Sequence, residues 1–142
     1  MHRVLTGLAF VLMAATPLAS ASADPSAEDG AKVFAQCRAC HQIGETAKNG
    51  VGPELNGLIG RKAGSVEGYS YSAAMKNSGL TWDEATFHEY IKNPKAKVPG
   101  TKMVYAGLKD EEKINDLIAF LKQYDASGKK TSSLDSAKYA SR

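Results

Sequence analysis

Cys37-Arg38-Ala39-Cys40-His41 reads C-x-x-C-H, the pattern of covalent haem attachment. Each thiol can add to one vinyl group of a haem, giving two thioether bonds. The two intervening residues set the sulfurs far enough apart to reach both vinyls. His41 follows directly, so its imidazole is held where it can ligate the iron. Competing readings fail on local grounds. A thioredoxin-like redox pair also reads C-x-x-C, but in a βαβ setting; the lead-in here, Ala27 to Gln36, looks helical. A tetrahedral zinc site needs four ligands, and Cys37, Cys40 and His41 supply three, two of them adjacent. A disulfide across two residues would be small and strained.

Working outward, Met1 to Ala23 reads as a secretory signal peptide. Arg3 supplies the positive end, and Val4 to Ala15 is apolar apart from Thr6 and Gly7. Ala21-Ser22-Ala23 is a small-x-small cleavage site, so cleavage after Ala23 is expected and the mature chain begins at Asp24. The apolar run is short of the roughly 20 residues that a bilayer span needs. Export to the periplasm follows, and haem attachment accounts for both cysteines.

The remaining residues, 24–142, make one small domain, 24–124, with a tail. A covalently held haem would supply the apolar body for so short a chain to close around. The full chain carries +3, and loss of Arg3 with the leader leaves +2.

Ser26 reads as an N-cap with Asp29 three residues on, opening a helix to about Ala39 that delivers the cysteines. Gly30 in that helix costs about a kcal/mol relative to Ala and points to close approach by another helix. The partner is legible near the end. Asp110 caps it, Glu111 and Glu112 sit in its first turn, and Ile114, Leu117, Ile118 and Leu121 recur at i, i+3, i+4, i+7, with Phe120 beside them. This helix is expected to end near Tyr124 to Gly128 and to cross the first at Gly30 and Phe34. Thr81-Trp82-Asp83-Glu84 reads as a capping box opening a helix to about Lys92, stopped by Asn93-Pro94, and a shorter helix is expected from Ser72 to Asn77. No segment alternates convincingly, so the fold class is all-α with long loops. Residues 125–142, rich in serine and lysine, read as a flexible tail.

The occupant of the sixth iron position decides between ligand chemistry and electron transfer. His88, Met75 and Met103 are the candidates. His88 lies mid-helix, and Met75 could be core filler. Met103 follows Val98-Pro99-Gly100-Thr101-Lys102, an irregular stretch that could carry a sulfur to the iron. The residues favour Met103 and leave the other two open.

From Gly30 to Lys122 the chain resembles the class I c-type cytochromes, mitochondrial cytochrome c and bacterial cytochrome c2. The matching pieces are Cys37-Arg38-Ala39-Cys40-His41, Gly52-Pro53-Glu54-Leu55-Asn56-Gly57, Arg61-Lys62-Ala63-Gly64, Gly68-Tyr69-Ser70-Tyr71, Thr81-Trp82, Asn93-Pro94 and Pro99-Gly100-Thr101-Lys102-Met103, in the family's order. The resemblance implies three main helices, short helices and loops around one haem c, bound through Cys37 and Cys40. It implies His41 and Met103 as iron ligands. The Pro53 carbonyl would accept from the second nitrogen of His41. Tyr71 and Trp82 would hydrogen-bond a haem propionate, with Arg61 offsetting its charge. Tyr90 would lie near the Met103 sulfur and Thr101 near a propionate. Two positions depart from the family's usual pattern: Met75 stands in place of Asn, and Tyr105 in place of Phe.

Lys92, Lys95, Lys97 and Lys102 flank the ligand loop, with no acid from Lys92 through Lys109. Such a rim beside the haem edge would steer the protein to acidic docking sites. The resemblance implies a soluble, monomeric periplasmic electron carrier, not an enzyme. It would take electrons from a quinol–cytochrome c oxidoreductase (a bc1-type complex) and pass them to a cytochrome oxidase or a photosynthetic reaction centre. No nucleic-acid partner and no stable membrane insertion are expected. The alternative is a haem enzyme or ligand sensor, peroxidase-like or gas-binding, with a labile sixth ligand. A haem serving only as a structural staple would leave the lysine rim and the ligand loop as coincidences.

Overall fold

Capping residues and one close helix crossing explain most of the architecture. The structure, a computed structural model, describes residues 24–131. The expected leader and residues 132–142 lie outside the described residues. Five α-helices occur among the described residues: α1 (Ala27–Phe34), α2 (Ala73–Lys76), α3 (Glu84–Lys92), α4 (Pro94–Lys97) and α5 (Glu111–Leu121). No strand forms among the described residues; the only β-type pairings are isolated antiparallel bridges, Lys62 with Thr81 and Tyr124 with Lys130. The all-α expectation holds.

α1 begins as expected. Ser26 Oγ accepts from Asp29 N at 3.1 Å, and Glu28 and Asp29 face the positive end of the helix dipole. It ends earlier than expected, at Phe34. A 3₁₀ turn, Ala35–Cys37, follows, and His41 N then donates to Cys37 O at 2.9 Å. The tighter turn curls Cys40 and His41 back under the helix end.

α1 and α5 cross where Gly30 allows it. A Cβ on Gly30 would lie 2.0 Å from Asp116 O. Ser26 N donates to Asp116 Oδ1 at 2.7 Å, which fixes the crossing from outside. Phe34 and Phe120 meet with ring centroids 5.1 Å apart, and Ile114, Leu117, Ile118 and Leu121 are buried. α5 starts at the expected cap, Asp110 Oδ1 accepting from Lys113 N at 3.2 Å. It stops at Leu121, short of the expected Tyr124, whose backbone instead forms a bridge with Lys130.

The expected capping box at Thr81 does not form. Residues 60–63 and 80–82 run side by side, with Ala63 N donating to Leu80 O (2.9 Å), Trp82 N to Arg61 O (2.8 Å) and Gly60 N to Trp82 O (2.7 Å). That pairing holds Thr81 extended. The helix opens one residue after Asp83, whose Oδ1 accepts from Thr86 N at 2.7 Å. α3 ends at Lys92 as expected. Asn93 then caps a further turn, α4, through its side chain and Ala96 N at 3.2 Å, with Pro94 in the first helical position. The short helix expected from Ser72 to Asn77 forms as α2, with Ser72 as its N-cap. Residues 125–131, at the start of the expected tail, form a hydrogen-bonded turn.

Candidate functional site

Between the α1–α5 pair and the loops lies a cavity of about 410 Å³. Cys37, Cys40, His41, Pro53, Arg61, Tyr71, Trp82, Tyr90, Thr101 and Met103 all line it, so every residue singled out from the sequence as cofactor-binding meets at one place. His88 does not; it pairs with Glu111 at 2.8 Å on the α3 surface. Met75 lines the cavity and is buried.

On one wall, the loop after His41 is folded by its own backbone. Gly52 N donates to Cys40 O at 2.8 Å and Leu55 N to Gln42 O at 2.9 Å. This closure brings the Pro53 carbonyl to 2.7 Å from His41 Nδ1, which therefore donates and leaves Nε2 as the free ring nitrogen. Gly52 seats the ring: a Cβ there would lie 2.2 Å from His41 Cε1. Burial pulls the His41 pKa down, the Pro53 bond opposes it, and the Arg61 charge pulls it further down. The lowered pKa favours the neutral ring, the form in which an imidazole can ligate a metal. The Cys37 thiol is pushed up to about 11, chiefly by burial and then by Cys40.

The opposite wall is the irregular loop after α4. Met103 Sδ accepts from Tyr90 Oη at 3.3 Å, Tyr90 Oη lies 3.3 Å from Thr101 Oγ1, and Met103 N donates to Thr101 Oγ1 at 3.3 Å. Trp82 stacks beside Tyr90 at 4.7 Å between centroids. Burial raises the pKa of Tyr90 above the usual phenol value, so it remains a donor.

On the floor, Tyr71 Oη accepts from Val66 N at 3.3 Å, and its own proton is left for another acceptor. Arg61 is more committed than the sequence indicated. It bonds Glu54 Oε1 (3.0 Å), Glu54 O (3.0 Å) and Asn56 O (2.8 Å), so its charge is already paired.

Several residues of the site escaped the sequence reading. Tyr69 also lines the cavity; its hydroxyl donates to Val51 O at 2.7 Å and its ring meets Tyr71 edge-on at 4.7 Å. Val51 and Val104 stand at the cavity edge with 75% and 92% exposure, an apolar rim that no periodicity could reveal because both lie in loops. Tyr105, noted in the sequence as standing in place of Phe, has a role the sequence did not show: its Oη donates to Gln36 Oε1 at 3.2 Å, linking the Met103 loop to the cysteine turn. The lysine rim is also less uniform than its sequence. Lys92 pairs with Glu111 and Lys97 with Glu89, acids from outside the 92–109 run. Lys102 lines the cavity and donates to Ser70 O at 2.9 Å.

The donor set and the cavity fit a haem. Two thiols, an oriented neutral imidazole and a thioether share one space whose other walls are mostly aliphatic and aromatic. Among the described residues, no group of three or more His, Cys, Asp or Glu side chains could hold a bare metal ion. No helix among them is long and apolar enough to cross a membrane.

Comparison with known proteins agrees. The family described as Cytochrome c matches residues 27–125. Cytochrome c2 of Blastochloris viridis is 55% identical over 130 residues, covering 92% of this chain and 99% of that protein. Cytochrome c-550 of Bradyrhizobium diazoefficiens is 65% identical over 100 residues, covering 70% of this chain and 74% of that one. Among solved structures, cytochrome cH from Methylobacterium extorquens superposes with a TM-score of 0.65 at 52% identity, covering 68% of this chain and 97% of that chain. The cavity with its paired thiols, the all-α frame around it and these relatives lead to one conclusion: the chain belongs to the cytochrome c family, as an electron carrier of the class I, cytochrome c2 kind with covalently bound haem c.

Proposed function

We propose that one haem c is attached through Cys37 and Cys40 and that His41 and Met103 are its axial ligands. The observation that carries this reading is the shared cavity, in which His41 is tied by Nδ1 to Pro53 and the Met103 sulfur is held by Tyr90. The haem supplies the one-electron Fe(III)/Fe(II) couple; the chain supplies everything that tunes it. The Pro53 carbonyl fixes the ring of His41 and raises its basicity. The Tyr90 hydroxyl orients the Met103 thioether. Methionine ligation and an apolar pocket both favour a high potential. Tyr71 and Trp82 would hydrogen-bond a propionate, with Thr101 near one. Arg61, already bound to Glu54, acts on that charge at a distance. A ligand pair kept in both oxidation states leaves little to rearrange when an electron moves.

The chain is proposed to work as a soluble periplasmic shuttle, released from its leader after Ala23. Its donor would be a bc1-type quinol–cytochrome c oxidoreductase and its acceptor an oxidase or a photosynthetic reaction centre. The apolar rim at Val51 and Val104 supports docking at the cavity edge. Lys102 and Lys95 are the cations of the run best suited to meet an acidic partner, since Lys92 and Lys97 already have acids beside them.

Optical spectra of the purified protein, ferric and ferrous, with and without carbon monoxide, test the ligand set. A weak ferric charge-transfer band from an iron–sulfur bond, with a ferrous spectrum indifferent to carbon monoxide, is expected. Absence of the band with ready carbon monoxide binding would overturn Met103 as ligand and favour the enzyme or sensor reading.

A further inference from the structure

The family match ends at residue 125, yet residues 126–131 beyond it keep a defined shape. Asp125 Oδ1 accepts from Ser127 N (2.8 Å), Ser127 Oγ (2.7 Å) and Lys129 N (3.1 Å). Asp125 N donates to Lys129 O at 3.0 Å and Thr131 N to Gln123 O at 2.7 Å. The Lys130 ammonium lies 5.6 Å from the Tyr124 ring centroid. One acid thus organises a closed turn, in the manner of an Asx motif.

The tip of this turn presses on the loop that follows His41. Gly128 is buried, with φ of +80°, and a Cβ there would lie 2.3 Å from both the carbonyl carbon and oxygen of Gly44. At a second contact, Gly57 N donates to Tyr124 O at 3.2 Å, and a Cβ on Gly57 would lie 2.9 Å from Ala126 Cα. Gly44 is gripped separately by buried Asn56, whose Oδ1 accepts from Gly44 N (2.8 Å) and whose Nδ2 donates to Gly44 O (3.1 Å). Gly44 is two residues from Gln42, which bonds Leu55; Leu55 is two residues from Pro53, which holds His41. Contact therefore runs unbroken from the turn to the seat of the imidazole.

We propose that residues 124–131 form a clasp that positions the 42–57 loop, and through it His41, by closing Gly128 over Gly44. The effect on the iron rests on the reading of His41 as ligand; the effect on the loop does not. The clasp is a positioning device and makes no contact of its own with the cavity.

The test compares three forms of the haem-loaded protein: truncated after Tyr124, truncated after Thr131, and full-length with Gly128→Val. Backbone amide hydrogen exchange is followed at Gly44, Gly52 and Leu55, with the α5 amides as internal reference. Loss of residues 125–131 is expected to speed exchange at the three loop amides by about tenfold or more, with α5 unchanged. Truncation after Thr131 should change neither set, and Gly128→Val should reproduce the loop effect. The reduction potential should rise in the first and third forms, because a looser Pro53 bond makes His41 a weaker donor to ferric iron. Equal acceleration in the loop and α5 would reduce the turn to a general stabiliser and overturn the proposal. Unchanged loop amides in either altered form would also overturn it. Where the shorter truncation does not accumulate, Asp125→Ala, which removes three bonds without touching Gly44, must show a smaller loop effect of the same pattern. A changed potential with unaltered loop exchange would place the fault in the clasp; a missing iron–sulfur band in every form would place it in the ligand set.

Discussion

His41 and Met103 reach the same cavity from walls of opposite construction. The His41 wall is a backbone structure. Amides at Cys40, His41, Gly52 and Leu55 donate to carbonyls within the same stretch of chain, and glycine at 52 lets the ring lie flat against it. The Met103 wall has no repeating backbone pattern from Thr101 to Asp110. It depends mainly on side chains: Tyr90 and Thr101 near the sulfur, Lys102 to Ser70, Tyr105 to Gln36, with Thr101 N donating to Val98 O and Leu108 N to Ile91 O as its backbone ties. Side-chain hydrogen bonds at a half-exposed surface contribute about 1 kcal/mol each, and each can be lost alone. A closed set of backbone bonds is lost together or not at all. The difference makes the His41 side the fixed reference of the site and the Met103 side its adjustable one.

The largest expected effect breaks the fixed wall. Gly52→Val puts atoms where the His41 ring lies, and overpacking of this kind costs about 3 kcal/mol or more. Haem-stained yield of exported protein should collapse. A normal yield with unchanged spectrum would mean that the wall gives way easily and that the contrast is false.

Met103→Ala should do less to the fold and more to the iron. The helix crossing is held by its own contacts, Gly30 against Asp116 and Ser26 N to Asp116 Oδ1, so thermal unfolding should remain cooperative with a loss of about 1–2 kcal/mol. Carbon monoxide should bind the ferrous form, and the ferric iron–sulfur band should vanish. Survival of that band would assign the sulfur to Met75, the other thioether on the cavity wall.

Tyr90→Phe sharpens the comparison without removing a ligand. It deletes the hydroxyl shared by Met103 and Thr101, worth about 1 kcal/mol. Imidazole titrated into the ferric protein should bind about fivefold more tightly, since it competes with a less firmly held sulfur. Unchanged imidazole affinity would show that the loop is held elsewhere, with Tyr105 and Gln36 the next pair to remove.

The smallest effect concerns the outer face of the adjustable wall. Lys102→Ala should slow electron transfer to an acidic partner by about two- to threefold at low ionic strength, and the deficit should shrink as salt rises. Lys97→Ala should slow it less, because Glu89 already offsets that charge. Equal effects would mean that the Glu89 pair opens on docking.

Much of this was legible in the chain. The cysteine spacing and the adjacent His41 carry their chemistry in covalent order, so no folding information is needed to read them. Caps at Ser26 and Asp110 act within one turn, and the i, i+3, i+4, i+7 pattern of α5 marks its buried face directly. Gly30 announced a crossing because a glycine inside a helix has a cost that only close approach offsets. Thr81 misled, since its pattern suits a helix start while pairing with Lys62 holds it extended. The end of α1 misled for a similar reason: nothing local to Ala35 says that the last turn tightens.

Charge and order at the chain's end were beyond local reading. The run from Lys92 to Lys109 contains no acid, so it looked uniformly positive; Glu89 and Glu111 come to it from other turns. Residues 125–131 have a solvated composition, and their order comes from one carboxylate and from two glycines meeting across the fold. The sequence by itself determined which atoms carry the chemistry and which helix faces are buried, because covalent spacing and helical periodicity are properties of neighbours. Only the tertiary structure decided how firmly each wall of the cavity is held, which lysines stay unpaired and what the last turn rests on. Those depend on distances between residues far apart in the chain, which packing alone sets.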